Sequence, residues 1–274
     1  MDTATALRIF QAQSSNVKAL DTARKFCKRA INRDLVEEDL VSLSINTRFY
    51  AMLFSAWSEA KLQKTVFTPY GLSLHEIKRV QKKTKSNIEE GFLECLEICL
   101  PKVFGHENTS FKPNARRRLG KLIKEYIVTP YEMRNKFAHG QWATATTANF
   151  SDIHPEMTAR ISVVDAVEID RWYLAHEGIS HLLEMLICSP KKGFTQQYWT
   201  HVLSIEERLK EAEGWSLTEK RKLLLRKREP HRTKLSQQAT LTDWVVNTVV
   251  PEVALNGQFT ISKSQDIPEH DLLK

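Results

Sequence analysis

The chain has 274 residues, 42% of them hydrophobic, enough for one large or two modest domains with a sizeable core. Its formal charge of +7 and pI near 9.2 favour polyanionic partners over acidic ones, because excess Lys and Arg attract phosphate chains at long range. The four cysteines, Cys27, Cys95, Cys99 and Cys188, form no dense framework of the kind that staples small secreted domains, so reduced thiols are expected.

The N-terminus, Met1-Asp2-Thr3-Ala4, lacks a basic start followed by an apolar run. No stretch approaches the roughly 18 to 20 apolar residues that cross a bilayer. A cytoplasmic location with no membrane contact is the expectation.

Helical periodicity dominates to about residue 230, and alternating apolar and polar runs are few, which predicts an all-α fold. Residues 1–36 read as an N-terminal helical extension of mixed polarity. Asp34 and Glu37-Glu38-Asp39 then lead into Leu40, Leu43, Ile45, Phe49, Met52, Leu53, Ala56 and Trp57, a long amphipathic helix with acidic residues at its start, as the helix dipole prefers.

Pro69 and Gly71 break the chain, and Ser73 opens one long helix through Ile77, Val80, Ile88, Phe92 and Leu96 that Pro101 stops. Its basic patch, Lys78, Arg79, Lys82, Lys83 and Lys85, is expected to face solvent. Residues 105–113 read as a loop, and 115–126 as a short helix opened by Arg116-Arg117-Arg118. Thr129-Pro130-Tyr131-Glu132 has the form of a capping box, predicting a helix start there, and Gly140 is its natural stop.

Residues 144–154 read as an irregular loop or short hairpin near that helix. Asp165 is placed to cap a long helix through Ile169, Trp172, Tyr173, Ile179, Leu182, Leu183 and Leu186, ended by Pro190 and Gly193. Two more helices are expected at 194–212 and 218–228. The segment 236–274 is expected to be a docked or partly irregular tail, although Leu241, Trp244, Val245, Val246, Val249 and Val250 make it more apolar than a solvated tail.

The residues with chemistry cluster in Arg134-Asn135-Lys136-Phe137-Ala138-His139-Gly140. On a straight helix Asn135 and His139 share a face, and Arg134 lies about 140° round from His139. A symmetric pair of such helices would put two Arg and two His along one cleft. Cleaving RNA without metal needs a base for the 2′-hydroxyl proton, an acid for the departing 5′-oxygen and positive charge on the phosphorane. His139 supplies imidazole at the negative end of a helix dipole, which suits a general acid or an electrostatic stabiliser, Arg134 supplies charge, and Asn135 an orienting amide. A purely structural role is the competing reading: Arg134 on a carboxylate, Asn135 on the backbone and His139 merely closing a helix.

This motif resembles the Arg-Asn-x-x-x-His signature of HEPN-domain ribonucleases, flanked here by Ala138 and Gly140 and by helical sequence on both sides. The resemblance covers residues 37–190. It implies a HEPN-like helical bundle, a homodimer with the site at its interface, and a metal-independent endoribonuclease leaving 2′,3′-cyclic phosphate and 5′-hydroxyl ends. It also implies a setting in toxin–antitoxin systems, phage defence or stress response, with an antitoxin or regulatory protein as a further partner, and no cofactor.

Ser55-Ala56-Trp57-Ser58-Glu59-Ala60-Lys61-Leu62 looks like the helix that carries an acidic residue in such proteins. Glu59 would then support the site, buried beside Trp57 and holding Arg134 in a bidentate pair, unless it is exposed and pairs locally with a lysine.

Residues 191–235 carry the densest basic run, Lys220-Arg221-Lys222 and Arg226-Lys227-Arg228. With Arg116, Arg117 and Arg118 these are candidate RNA contacts, with Phe194, Tyr198, Trp199 and Trp215 nearby for base stacking. Two alternatives remain: a non-catalytic HEPN-like binding or regulatory module, and an RNA-binding protein acting through the basic C-terminal helix. Cys95 and Cys99 share a helix face with His106 not far off, but no second ligand pair accompanies them, so no metal site is expected. His176 and His181 read as core-edge residues. No glycine-rich phosphate loop, Gly-x-Ser-x-Gly or His-Glu-x-x-His is present, and nine glycines are few for such folds.

Overall fold

The computed structural model describes residues 1–103 and 110–228. His106 and the segment beyond Arg228, with its apolar Leu241 to Val250 stretch, lie outside the described residues. The chain divides into two compact units, Met1–Arg226 and Lys227–Lys274.

Among the described residues the fold is all-α; the one β feature is an isolated bridge between Thr146 and Ile153. No helix among them is long and apolar enough to cross a membrane.

Helix α1 (Thr3–Glu37) starts where Asp2 accepts the Thr5 amide at 2.7 Å. It ends at Glu38, whose left-handed φ of 59° turns the chain back at once. Asp39 then caps α2 (Leu40–Val66) by accepting the Ser42 amide at 2.9 Å, and α1 and α2 form a long antiparallel hairpin.

The single helix expected from Ser73 to Pro101 is two. Ser73 and Glu76 form a full capping box on α3 (Leu74–Ser86). Asn87 then adopts an extended conformation, φ −155° and ψ 138°, and its carboxamide caps α4 (Ile88–Cys99) by accepting the Glu89 amide at 2.8 Å. The break folds α4 back on α3 so closely that a Cβ at Gly91 would run into the Thr84 side chain.

A helix starts at Thr129 as expected, but the capping box does not form. Helix α5 (Phe111–Ile123) runs through a π-helical turn (Lys124–Val128) into α6 (Thr129–Ala138), and Thr129 caps nothing. Pro130 has no N–H and its ring clashes with the carbonyl four residues back, so a regular α-turn cannot pass through it. One wider turn, in which the Thr129 amide bonds the Lys124 carbonyl, lets the rod continue.

His154 caps α7 (Pro155–Val163), and Asp165 caps α8 (Ala166–Cys188) by accepting the Val167 and Glu168 amides, both at 2.8 Å. A second π-helical turn (Pro190–Phe194) leads to α9 (Thr195–Glu213), and residues 217–228 are helical. Gly178 lets α8 meet α9, since a Cβ there would strike Ile205.

Helices α2 and α8 span the unit and serve two cores. Leu62 and Val66 of α2 and Ala175 to Ile187 of α8 pack with α3, α4, α5 and α9. Leu43 to Trp57 and Ala166 to Tyr173 pack with Ile31 and Leu35 of α1, Met133 and Phe137 of α6, and Met157 and Ile161 of α7. Each large apolar side chain taken fully from water contributes about 1.5–3 kcal/mol, which is why these two rows, rather than surface ion pairs, hold α6 in place.

At the junction of the cores sits His176. Expected at a core edge, it is fully buried. Its Nε2 is 2.7 Å from the Ser58 hydroxyl and its Nδ1 3.0 Å from that of Ser180, while the rings of Phe54, Trp57 and Phe92 enclose it. His181, also expected there, is exposed beside His201.

Candidate active site

Helix α6 buries Pro130, Met133 and Phe137 against the second core, and the opposite face therefore carries Asn135 and His139. The helix stops at Gly140, whose φ of +76° suits a residue without a side chain. The stop is reinforced: the Gly140 amide and the Trp142 indole N–H both reach the Phe137 carbonyl, at 3.1 and 2.8 Å. Arg48 of α2 donates to the Trp142 carbonyl at 3.0 Å, and Lys136 Nζ to that of Thr146 at 2.6 Å, so α2 and the 141–154 loop brace the end of the motif helix.

Arg134 and Asn135 meet one turn before this braced end, and His139 closes it. The guanidinium of Arg134 donates to the Asn135 carboxamide oxygen at 3.1 Å and lies 5.6 Å from the centre of the Tyr131 ring. No carboxylate comes within ion-pair range of Arg134 among the described residues, which leaves its charge available to an anion. The His139 side chain is exposed, one residue beyond the last helical turn. It stands about 7.5 Å from Arg134 along the helix axis, from a rise of ~1.5 Å per residue.

Glu59 is half-buried and does not pair with Arg134 directly. The Tyr131 hydroxyl faces this carboxylate and is held above its ordinary range first by burial and then by Glu59. Tyr131 thus stands between the two, its hydroxyl toward Glu59 and its ring toward Arg134. The sequence signal for it was an aromatic residue one helical turn before the motif arginine.

The other basic candidates are largely committed to carboxylates. Arg116 pairs with Glu97, and Arg118 bidentately with Glu206 while stacking on Trp199 at 5.5 Å; Arg117 reaches only the Asn114 side chain, at 3.3 Å. Lys220 and Lys28 each lie 2.8 Å from Asp170, which also accepts the Tyr50 hydroxyl at 2.8 Å. Burial raises the Asp170 carboxyl, but the two lysines outweigh it and hold the group below the usual range. Arg221 pairs with Glu38 at 2.8 Å and Lys222 with Glu219 at 2.7 Å. Arg226 is exposed with no ion pair among the described residues, and Lys227 and Arg228 belong to the second unit. Of the aromatic candidates, Phe194 and Tyr198 are core residues, while Trp199 and Trp215 are exposed.

Among the described residues no group of His, Cys, Asp and Glu side chains is arranged to hold a metal ion. Cys95 and Cys99 are buried, and burial pushes both thiols above their ordinary range, as fits core residues. Compared with family models, with curated proteins and with solved structures, the chain matches none.

Proposed function

We propose that the protein is a metal-independent endoribonuclease of the HEPN type, with Arg134, Asn135 and His139 as its catalytic residues and a homodimer as its working form. The observation that carries this reading is the Arg134 guanidinium, uncommitted to any carboxylate among the described residues and held by Asn135 on the helix that ends at an exposed His139. Had Arg134 been sealed by a carboxylate, a structural role would account for it fully.

In this reading Arg134 receives the scissile phosphate and offsets charge as the 2′-oxygen attacks phosphorus. One imidazole takes the 2′-hydroxyl proton and a second protonates the departing 5′-oxygen, giving a 2′,3′-cyclic phosphate and a 5′-hydroxyl. Two imidazoles require two chains, and the surface beside the motif suits that. Val41, Ile45 and Phe49 follow one another at helical spacing on α2, exposed by 72%, 41% and 49%, and Phe49 meets Trp142 edge-on at 5.4 Å. The setting in toxin–antitoxin systems, phage defence or stress response, and an antitoxin-like partner, follow from the family resemblance alone.

The same apolar stripe supports a second reading, a non-catalytic HEPN-like module that docks a partner. RNA binding through the C-terminal basic helix is the weaker alternative, because Lys220, Arg221 and Lys222 are spent on carboxylates.

The deciding experiment incubates wild type, Arg134→Ala and His139→Ala with single-stranded and structured RNA in EDTA and identifies the product ends. Cleavage by wild type alone, leaving cyclic phosphate, establishes the nuclease. Absence of cleavage by folded, dimeric wild type moves the protein to the docking reading.

A further inference from the structure

Two adjoining grooves meet beside the motif helix. One, of about 470 Å³, lies between α1 and α2, and the other, of about 320 Å³, between α2, α3 and Tyr131; Glu59 and Gln63 line both. Amides make up half of the polar lining, with Gln63 from α2, Gln81 from α3 and, from α1, Gln13 and Asn16, of which Asn16 donates to Gln13 at 3.2 Å. Carboxamides present a donor and an acceptor side by side, the pattern that base edges complement, and Tyr131 adds an aromatic face. Glu59 would repel a phosphate but accepts well from an exocyclic amine, so the floor suits bases rather than backbone.

The rim has the opposite character. Lys78, Lys82 and Lys85 follow at four- and three-residue spacing on one stripe of α3, exposed, and Lys85 itself lines the second groove. Among the described residues these three make no ion pair, whereas Arg79 and Lys83, on the other side of the same helix, are taken by Glu94 and Glu90. A row of uncommitted cations beside a groove of amides with an aromatic side chain separates backbone from base, as binding a single strand requires.

We propose that this groove is the strand-binding and base-reading subsite for single-stranded RNA. The α3 lysines carry the phosphates, and the Gln63–Gln81 amides with Glu59 read bases. The strand passes over Tyr131 to present its phosphate to Arg134. The assignment of RNA as ligand rests on the ribonuclease reading above, but the subsite is tested by binding and not by turnover.

The test measures fluorescence anisotropy of a labelled, unstructured RNA of mixed sequence with full-length His139→Ala protein over a range of salt. In that background Lys78→Gln/Lys82→Gln/Lys85→Gln is expected to weaken binding at least tenfold at low salt. It should also reduce the slope of log affinity against log salt by about 2, from ~0.7 per phosphate contact on a single strand. Arg116→Gln/Arg117→Gln/Lys222→Gln, which removes equal charge elsewhere, should leave the slope nearly unchanged. Gln63→Ala/Gln81→Ala should keep the slope while changing the order of affinities for oligo-A, oligo-C and oligo-U.

An unchanged slope in the α3 variant, or equal losses in both charge variants, overturns the subsite. If wild type cleaves RNA in that case, the nuclease reading stands without it. Lysine-dependent binding by a wild type that never cleaves keeps the subsite and removes the nuclease.

Discussion

The chain places two histidines in opposite surroundings, and the contrast separates what folds the protein from what the site offers. His176 is enclosed by three rings and satisfied by two serine hydroxyls, so both its nitrogens are spent and no ligand reaches it. His139 is exposed past the end of α6, the helix whose Arg134 has no carboxylate partner among the described residues. A buried imidazole in hydrogen bonds stabilises the fold, whereas an exposed one past a braced helix end is open to a binding partner. The same difference divides the cations: Arg116 and Arg118 on α5 and Lys220, Arg221 and Lys222 are closed by acidic partners, while Lys78, Lys82 and Lys85 of α3 have none among the described residues.

The contrast is sharpest under alanine substitution. If the protein is the nuclease proposed above, His139→Ala should lower single-turnover RNA cleavage by about 10²–10⁴-fold, the usual contribution of a general acid or base, while unfolding free energy moves by less than about 0.5 kcal/mol. His176→Ala should do the reverse. It leaves a cavity and two buried hydroxyls without their partner, and urea unfolding should report a loss of about 3 kcal/mol. Cleavage by the fraction still folded should be near normal. A His139→Ala protein that loses stability and keeps its rate would reverse the assignment.

Acid should expose the buried member of the pair. Burial, with the positive charge of Lys61 adding to it, lowers His176 from its ordinary 6.5 to about 3. The unfolded chain therefore binds a proton that the folded chain refuses. The stability due to neutral His176 is present in full above about pH 6.5 and is lost as pH falls from there toward 3, by up to about 1.4 kcal/mol per unit. Chemical denaturation at successive pH values should show this slope in wild type and a shallower one in His176→Asn. Equal slopes would mean that the carboxylates alone, Asp170 foremost, set acid stability.

Much of this was readable before any coordinates. Ser73 and Asp165 announce helix starts because a short polar side chain before an apolar helical pattern has one strong local use, and Gly140 announces a stop because glycine takes a positive φ freely. The motif was legible because Arg134, Asn135 and His139 lie within one helix, so local geometry alone brings them together. What escaped depends on residues distant in sequence or on strain. Asn87 sits inside an unbroken helical pattern and ends a helix only because α4 folds back over α3. The π-helical turn answers a clash at Pro130 that a capping-box pattern conceals. Arg116 and Arg118 looked available because Glu97 and Glu206 are 19 and 88 residues away, and the groove exists only where α1, α2, α3 and α6 converge.

The smallest expected effect on cleavage asks whether the braced helix end matters to His139 at all. A Cβ at Gly140 meets nothing within 4 Å, so Gly140→Ala clashes with no neighbour, and its cost is the left-handed φ of +76°, about 1 kcal/mol. Thermal melting should therefore move by only a few degrees. The backbone can relieve that strain by changing the turn, and His139 is the residue immediately before it. If the turn aims the imidazole, cleavage should fall by tenfold or more while melting barely changes, and Gly140→Asn, which tolerates left-handed φ, should recover most of it. If rate and stability fall together by the same small factor, exposure alone distinguishes His139 from His176, and the bracing by Trp142 and Arg48 serves the fold.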